Sequence, residues 1–256
     1  MIPKTIHYCW FGKKKKPDLI NECIKSWEKY LKDYEIKCWN EDNLPVNHPF
    51  VTKALKTEHY AFAADFIRLY VLKHYGGIYM DTDVIIIKSL NDLLNYNFFL
   101  GEEIPGRINL AIVGAIPNHP CIDRFIEFYD QTEFNTSSLP IISYTLTAIL
   151  AEVKNELFKD NDKIFESIYF YPLPYEKRND NYKNYIGDET YAVHLWNHSW
   201  QSVIDCINNG KYRKAFNKML KDLKYNKSLR FNRDYYNNII WHFKESLKDS
   251  IRLLVK

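Results

Sequence analysis

The sequence predicts an α/β domain followed by a helical extension. Over about the first 90 residues, apolar segments typical of strands are interleaved with longer segments of helical periodicity, as in sheets covered by helices. The last 50 or so residues instead place apolar side chains at three- and four-residue spacing among many lysines and arginines, which is typical of amphipathic helices. We therefore assign residues 1–205 to the domain and residues 206–256 to the extension.

The predicted elements alternate in chain order: a strand at residues 4–10, a helix at 18–31, a strand at 34–39, a helix at 58–74 and a strand reaching Met80. Gly76 and Gly77 end the longest of these helices, since glycine is common just past a helix terminus. The chain then continues with an extended segment at 84–87, a short helix at 90–95, mainly helices after residue 122, and one more extended segment at 191–196.

Composition favours a globular protein that remains in the cytoplasm. The chain has 256 residues, of which 46% are hydrophobic, enough for a sizeable core. No uncharged apolar stretch approaches the roughly 18 residues of a membrane span, and no signal pattern follows Met1. The five scattered cysteines form no CxxC pair, which favours free buried thiols over disulfides or a zinc site.

Charge is distributed unevenly along the chain. Residues 211–256 hold 13 basic and 4 acidic residues, a net charge of +9, whereas the rest holds 22 and 28, a net charge of −6. The basic helix predicted at 211–233 fits either a helix docked on the body or peripheral contact with an anionic membrane surface, at its inner face. No recognised nucleic-acid motif accompanies this charge, so no nucleic-acid partner is expected.

Two aspartates interrupt an apolar run. Asp81 and Asp83 follow Ile78–Met80 and precede Val84–Ile87, so they would point to the same side if the segment stays extended. Carboxylates so close repel each other, and a Mn²⁺ or Mg²⁺ ion that also binds a diphosphate would remove that repulsion. The alternative is a solvated turn between two strands.

The preceding helix places Asp65 and Arg68 on one face, between Ala61 and Leu72. This pair is either a surface ion pair or a charged pair aimed at hydroxyl groups inside a cleft.

Together these motifs carry a family resemblance. The run AFAADFIRLYVLKHYGGIYMDTDV, with IPKTIHYCWFG near the N-terminus, resembles glycosyltransferase family 32, whose members include transferases of capsular polysaccharide synthesis. It is also similar to the catalytic domains of large glucosylating toxins. The resemblance implies a GT-A fold, a single Rossmann-like nucleotide-sugar-binding domain with its site at the carboxyl ends of the strands.

The resemblance also implies roles for individual residues. Asp65 and Arg68 would hold hydroxyl groups of the donor sugar and, with Asp83, form the catalytic set. The remaining donor contacts are implied at Trp10 (nucleobase), Tyr79 (ribose), Asp81 (ribose and metal) and Asp83 (metal).

Two further segments resemble the family more loosely. In HLWNHSW, His194 is implied as a third metal ligand, and His198, Ser199 and Trp200 would close on the diphosphate. A buried aromatic cluster is the alternative there. Residues 108–120 match a loop of the family, with Asn109 as a sugar or acceptor contact, whereas residues 138–147 depart from the family pattern.

The resulting hypothesis is a retaining, metal-dependent transferase that moves a hexose from a UDP- or GDP-sugar to a glycan or lipid-linked glycan. Surface polysaccharide synthesis, of capsule or lipopolysaccharide, is the implied setting. Two alternatives remain: a glycan-binding module without catalysis, suggested by 20 tyrosines and 6 tryptophans, and an aspartate-based phosphohydrolase.

Overall fold

The computed structural model describes residues 1–135, 140–197, 203–208, 210–225 and 232–254. The chain divides into two compact units. The first comprises Met1–Phe134 and Pro140–Asn197, and the second comprises Asn135–Leu139 and His198–Lys256. The predicted boundary after residue 205 stays a prediction.

A six-stranded mixed sheet organises the first unit, in the order β2-β1-β3-β6-β5-β7. Strand β1 runs parallel to β2 and β3, β6 runs antiparallel to β3 and β5, and β7 runs parallel to β5. A separate antiparallel pair joins β4 to β8. The strands are β1 Thr5–Cys9, β2 Glu35–Trp39, β3 Gly77–Met80, β4 Val84–Ile86, β5 Phe98–Ile104, β6 Arg107–Ala115, β7 Asp162–Phe165 and β8 Ala192–His194.

Helices accompany this sheet, which confirms the predicted α/β class. In the first unit they are α1 Asp18–Tyr30, α2 Pro49–Lys56, α3 Tyr60–Tyr75, α4 Pro120–Asp130, α5 Ile142–Leu157 and α6 Ser167–Phe170. The predicted short helix near residue 90 is a 3₁₀ turn at Asn91–Asn95. Glycine is required after α3, because Gly77 has a φ of 101° and a Cβ there would lie 2.6 Å from the carbonyl oxygen of Thr5.

The β5–β6 hairpin corrects the sequence analysis. Residues 108–115 belong to a strand, where a loop was expected. Consecutive residues Leu110–Val113 are all fully buried, so β6 is covered on both faces and shows no polar–apolar alternation.

None of the five cysteines, all of which lie among the described residues, forms a disulfide. Cys9, Cys23, Cys121 and Cys206 are buried, but Cys38 is only half-buried.

The second unit is helical, as predicted for the extension. Its helices are α7 Val203–Asn208, α8 Tyr212–Tyr225 and α9 Arg233–Leu254. A small core of Val203, Cys206, Ile207 and Ala215 joins α7 to α8. Among the described helices, none combines the length and apolar character needed to cross a membrane. Residues 226–231 of the predicted basic helix lie outside the described residues.

Candidate active site

The two aspartates lie on a turn at the end of β3. The Asp81 N–H donates to the carbonyl of Ala111 (2.8 Å), and the Val84 N–H returns to the carbonyl of Asp81 (3.2 Å). Of the two alternatives considered for this segment, an extended strand and a turn between two strands, the structure shows the turn. The turn, and not strand alternation, brings the carboxylates of Asp81 and Asp83 together.

His194 completes this group from a distant part of the chain. Pairing of β4 with β8 sets Val84 opposite His194, and His194 Nε2 lies 3.3 Å from Asp83 Oδ1. The other oxygen of Asp83 accepts a hydrogen bond from the Asn197 N–H at 2.7 Å. Asp81, Asp83 and His194 each offer a ligand atom, and these atoms lie within 4.8 Å of one another. We call these three residues the acidic cluster.

The cluster has opposed electrostatic effects on its members. Burial alone would raise the pKa of Asp83, but the charge and hydrogen bond of His194 outweigh burial and lower that pKa to about 2. Burial alone would lower the pKa of His194, but Asp83, Asp81 and Glu103 together raise it. At neutral pH, Asp83 is therefore ionised, beside a histidine whose pKa lies above its usual value.

Arg68 connects α3 to the cluster. Its Nη2 lies 2.8 Å from Asp81 Oδ1 and 3.3 Å from Asp65 Oδ1, and its Nη1 donates to the carbonyl of Leu110 at 2.9 Å. Arg68 is 3% exposed, which excludes the surface ion pair considered for this helix. Burial raises the pKa of Asp65 to about 7, although Arg68 opposes the shift.

Tyr79 and Trp10 occupy different environments. Tyr79 is fully buried, with the Arg68 guanidinium 4.6 Å from its ring centroid. Trp10 is half-buried, and its indole N–H donates to the carbonyl of Lys14 at 2.8 Å. The nucleotide contacts expected at both positions stay predictions.

Asn109 lies near the start of β6. The next two residues, Leu110 and Ala111, accept hydrogen bonds from Arg68 and Asp81 through their backbone carbonyls. The Asn109 carbonyl accepts a hydrogen bond from the Tyr171 hydroxyl at 3.0 Å, and the Tyr171 ring contacts the His194 ring edge-on, with centroids 5.9 Å apart. Sequence reasoning did not single out Tyr171 or Glu103, which bonds the Asn109 amide at 2.6 Å.

The structure thus brings together Asp65, Arg68, Asp81, Asp83 and His194, with Asn109 on the adjoining strand. The expected diphosphate contacts at His198, Ser199 and Trp200 lie outside the described residues.

Comparison with known proteins points to the same region. Residues 17–100 match the family model described as "Glycosyltransferase sugar-binding region containing DXD motif". This range contains Asp65, Arg68 and the Asp81-Thr82-Asp83 sequence of the turn. This segment of the chain is therefore similar to the sugar-binding region of DXD glycosyltransferases.

Individual relatives are distant in sequence. This chain is 27% identical over 216 residues to an uncharacterized glycosyltransferase of Acanthamoeba polyphaga mimivirus, covering 78% of this chain and 84% of that protein. It is 29% identical over 135 residues to a mannosyl phosphorylinositol ceramide synthase of Saccharomyces cerevisiae, covering 50% of this chain but 35% of that protein. Among solved structures, the PaToxG glycosyltransferase aligns with a TM-score of 0.46 and 20% identity, over 59% of this chain and 69% of that chain.

A divalent metal fits the acidic cluster. Two carboxylates and an imidazole supply oxygen and nitrogen ligands. His194 Nδ1 is buried and has no hydrogen-bond partner among the described residues, which is costly for a polar atom unless something binds nearby. Asp81, Asp83 and His194 are therefore the residues that would hold the metal.

Proposed function

We propose that this protein is a metal-dependent, retaining glycosyltransferase that transfers a hexose from a UDP- or GDP-sugar to a glycan or lipid-linked glycan. The observation that carries the proposal is the acidic cluster, which is partly buried at the end of β3 and bonded to Arg68. When bound there, Mn²⁺ or Mg²⁺ supplies Lewis-acid stabilisation of the diphosphate leaving group.

Arg68 has two roles in this proposal. Its bond to Asp81 fixes the orientation of that carboxylate, and with Asp65 it presents charged groups to hydroxyls of the donor sugar. Arg68 Nε is buried and has no partner among the described residues, so the guanidinium has a donor left after its contacts with Leu110, Asp65 and Asp81 are made.

Retention of the anomeric configuration follows from the family resemblance. Both carboxylates of the cluster are engaged, Asp81 by Arg68 and Asp83 by His194 and Asn197. This arrangement favours departure and attack on the same face of the sugar over a covalent step on either aspartate.

The test is a screen of UDP-glucose, UDP-galactose, UDP-N-acetylglucosamine and GDP-mannose with Mn²⁺, Mg²⁺ or EDTA. We expect metal-dependent release of nucleotide diphosphate from at least one donor, and none with EDTA. ¹H NMR of the transferred sugar would then report the anomeric configuration. Metal-independent turnover, or no turnover of any nucleotide sugar, would contradict the proposal and favour a glycan-binding module.

We also propose that the acceptor is lipid-linked and that the second unit contacts an anionic membrane surface. The name of the yeast relative includes a ceramide lipid. Residues 211–256 carry a net charge of +9. Six large apolar side chains of α8 and α9 are exposed: Phe216, Leu220, Ile240, Trp241, Phe243 and Leu247. Apolar side chains beside basic ones are typical of helices that lie in a membrane interface.

Liposome cosedimentation tests this contact. The protein should bind vesicles containing phosphatidylglycerol at low salt and be released at high salt, because the attraction is screened. Replacing Lys211, Lys214 and Lys218 by glutamate should abolish binding. A matched charge reversal at Lys13, Lys14 and Lys15 of the first unit should not. Equal binding to neutral vesicles, or binding that survives reversal in the second unit, would reject the proposal.

A further inference from the structure

The β5–β6 hairpin has an irregularity at its turn end. Glu102 pairs with Ile108, and Ile104 pairs with Arg107, so Glu103 between them has no partner across the ladder. Such a bulge adds one residue to a strand and redirects its side chain, and bulges are frequent beside active sites.

The turn end of the hairpin lies at the same end of the sheet's strands as the acidic cluster. Strand β6 is antiparallel to β3, with Met80 opposite Ile112. The next residue of the chain, Asp81, donates its N–H to the carbonyl of Ala111. Residues 107–111 of β6 and the last residues of β5 are therefore neighbours of the turn that holds the aspartates.

Glu103 is engaged through both carboxylate oxygens. Oε2 accepts a hydrogen bond from Asn109 Nδ2 at 2.6 Å, and Oε1 forms an ion pair with Arg107. The Glu103 side chain is only 10% exposed. A carboxylate so deeply buried is costly unless its bonds to the protein compensate for lost hydration.

Contacts with Glu103 and Ala111 fix the orientation of the Asn109 side-chain amide. Its Oδ1 accepts from the Ala111 N–H at 2.8 Å, while one N–H of Nδ2 is held by Glu103. The second N–H of Nδ2 has no partner among the described residues. Tyr171 also anchors the backbone carbonyl of Asn109, so one donor group is presented in a single orientation near the cluster.

We propose that Glu103 is a positioning residue, which orients the Asn109 amide so that its free N–H binds a hydroxyl group of the transferred sugar. This inference rests on the proposed sugar transfer and on the expected contact at Asn109. Glu103 acts through Asn109 and does not itself touch the substrate.

The first test compares three variants on the donor that the wild-type protein turns over. Glu103→Ala should lower kcat/KM about 10- to 100-fold, as loss of groups that orient a functional side chain typically does. Glu103→Gln should recover most of the activity, because its side-chain oxygen still accepts from Asn109. Glu102→Gln, at the neighbouring paired position, is the matched control and should match the wild type. Should Glu103→Ala fail to fold, Glu103→Met fills the same volume without accepting a hydrogen bond.

A double-mutant cycle then separates positioning from a general structural role. If Glu103 acts through Asn109, then Glu103→Ala combined with Asn109→Ala should be no slower than Asn109→Ala alone. Affinity for UDP or GDP with Mn²⁺, measured by calorimetry, should stay within twofold of the wild type. Losses that multiply in the double variant, or a Glu103→Ala protein with full activity, would overturn the inference. A wild-type chain that turns over no nucleotide sugar would instead overturn the proposed function.

Discussion

Two buried histidine–carboxylate pairs in the first unit can be compared directly. His194 lies 3.3 Å from Asp83 in the acidic cluster, and His119 lies 3.1 Å from Asp162 where α4 begins beside β7. Both histidines are at most 8% exposed. The same two residue types, at nearly the same separation, nevertheless differ in what surrounds them.

In the His119–Asp162 pair at α4, the polar atoms of both side chains are bonded within the protein. His119 Nδ1 accepts from the Cys121 N–H, so Nε2 carries the proton and donates to Asp162 Oδ1. Asp162 Oδ2 accepts from the Lys159 N–H. Each of these polar atoms has a partner, and the neutral imidazole is sufficient for the whole arrangement.

The His194–Asp83 pair of the acidic cluster has different surroundings. His194 Nδ1 has no partner among the described residues, and a second carboxylate, Asp81, lies within ligand distance of the first. Burial lowers the pKa of His119 although Asp162 and Asp123 oppose the shift, whereas Asp83, Asp81 and Glu103 overcome burial and raise the pKa of His194. A candidate binding site thus differs from a purely structural histidine–carboxylate pair in two ways. It has a polar atom without a partner among the described residues, and it carries excess negative charge.

The largest effect that would sharpen this contrast is loss of a cluster carboxylate. Asp83→Asn keeps the shape but removes a charged ligand, so transfer should fall at least about 100-fold, as expected for the loss of metal-ion stabilisation. Mn²⁺-dependent binding of UDP or GDP should weaken in parallel, as measured by calorimetry. Unchanged turnover with unchanged Mn²⁺ dependence would remove Asp83 from the proposed site.

The next largest loss of activity is expected on substitution of Arg68. Arg68→Lys keeps the positive charge but loses the fork that contacts Asp81, Asp65 and the backbone. We expect a 10- to 100-fold loss of kcat/KM, because the orientation of Asp81 is no longer fixed. Arg124→Lys is the matched control, since Arg124 also forms an i,i+3 ion pair, with Glu127, but on an exposed surface. Equal effects in the two variants would show that Arg68 has no special role.

A third buried histidine extends the contrast to pH. His7 accepts from the Trp39 indole and contacts the Gly76 carbonyl, and burial lowers its pKa from 6.5 to about 4. The folded state therefore binds fewer protons than the unfolded state between these values. The stabilisation is fully present above pH 6.5 and lost as pH falls to about 4, a change of about 3 kcal/mol.

Urea unfolding of the wild type and His7→Gln at several pH values between 4 and 7 would measure this contribution. The variant should show the shallower loss of stability on acidification. His74→Gln, at an exposed histidine, should retain the wild-type slope. Parallel curves for wild type and His7→Gln would contradict the assignment.

The smallest effect is expected at the His119–Asp162 pair. Asp162→Asn removes a charged acceptor from His119 and should cost about 1–3 kcal/mol of unfolding free energy, the range for a weakened buried hydrogen bond. Turnover at 20 °C should stay at the wild-type level, in contrast with Asp83→Asn. A loss of turnover without a loss of stability would mean that this pair also has a functional role.

Much of the first unit could be predicted because its patterns are local. The helix α3 has no interior glycine or proline and ends before Gly76, and β1 and β2 are short segments bounded by loops, with polar and apolar residues alternating in β2. The β5–β6 hairpin was missed because Leu110 and Ala111 are both buried, on opposite faces of the strand. Period-two alternation appears only when one face of a strand is solvated.

Less of the candidate site than of the fold could be predicted from the sequence. Asp81, Asp83 and His194 came from a family resemblance, and the structure places them together. Glu103 could not be found in this way, since its orientation depends on a bulge and its partner on the register of two strands. The choice between an extended segment and a turn at 81–83 was left open for a similar reason, because the turn depends on the bond between Asp81 and Ala111 in another strand.

The pairing of β8 with β4 has a consequence for synthesis. The backbone N–H that binds Asp83 belongs to Asn197, 114 residues later in the chain. At ribosomal rates of about 5–20 residues per second, roughly 5–25 s separate translation of the two positions. During that interval a nascent chain holds two neighbouring acids without their histidine, so the proposed metal site is complete only after β8 has been synthesised.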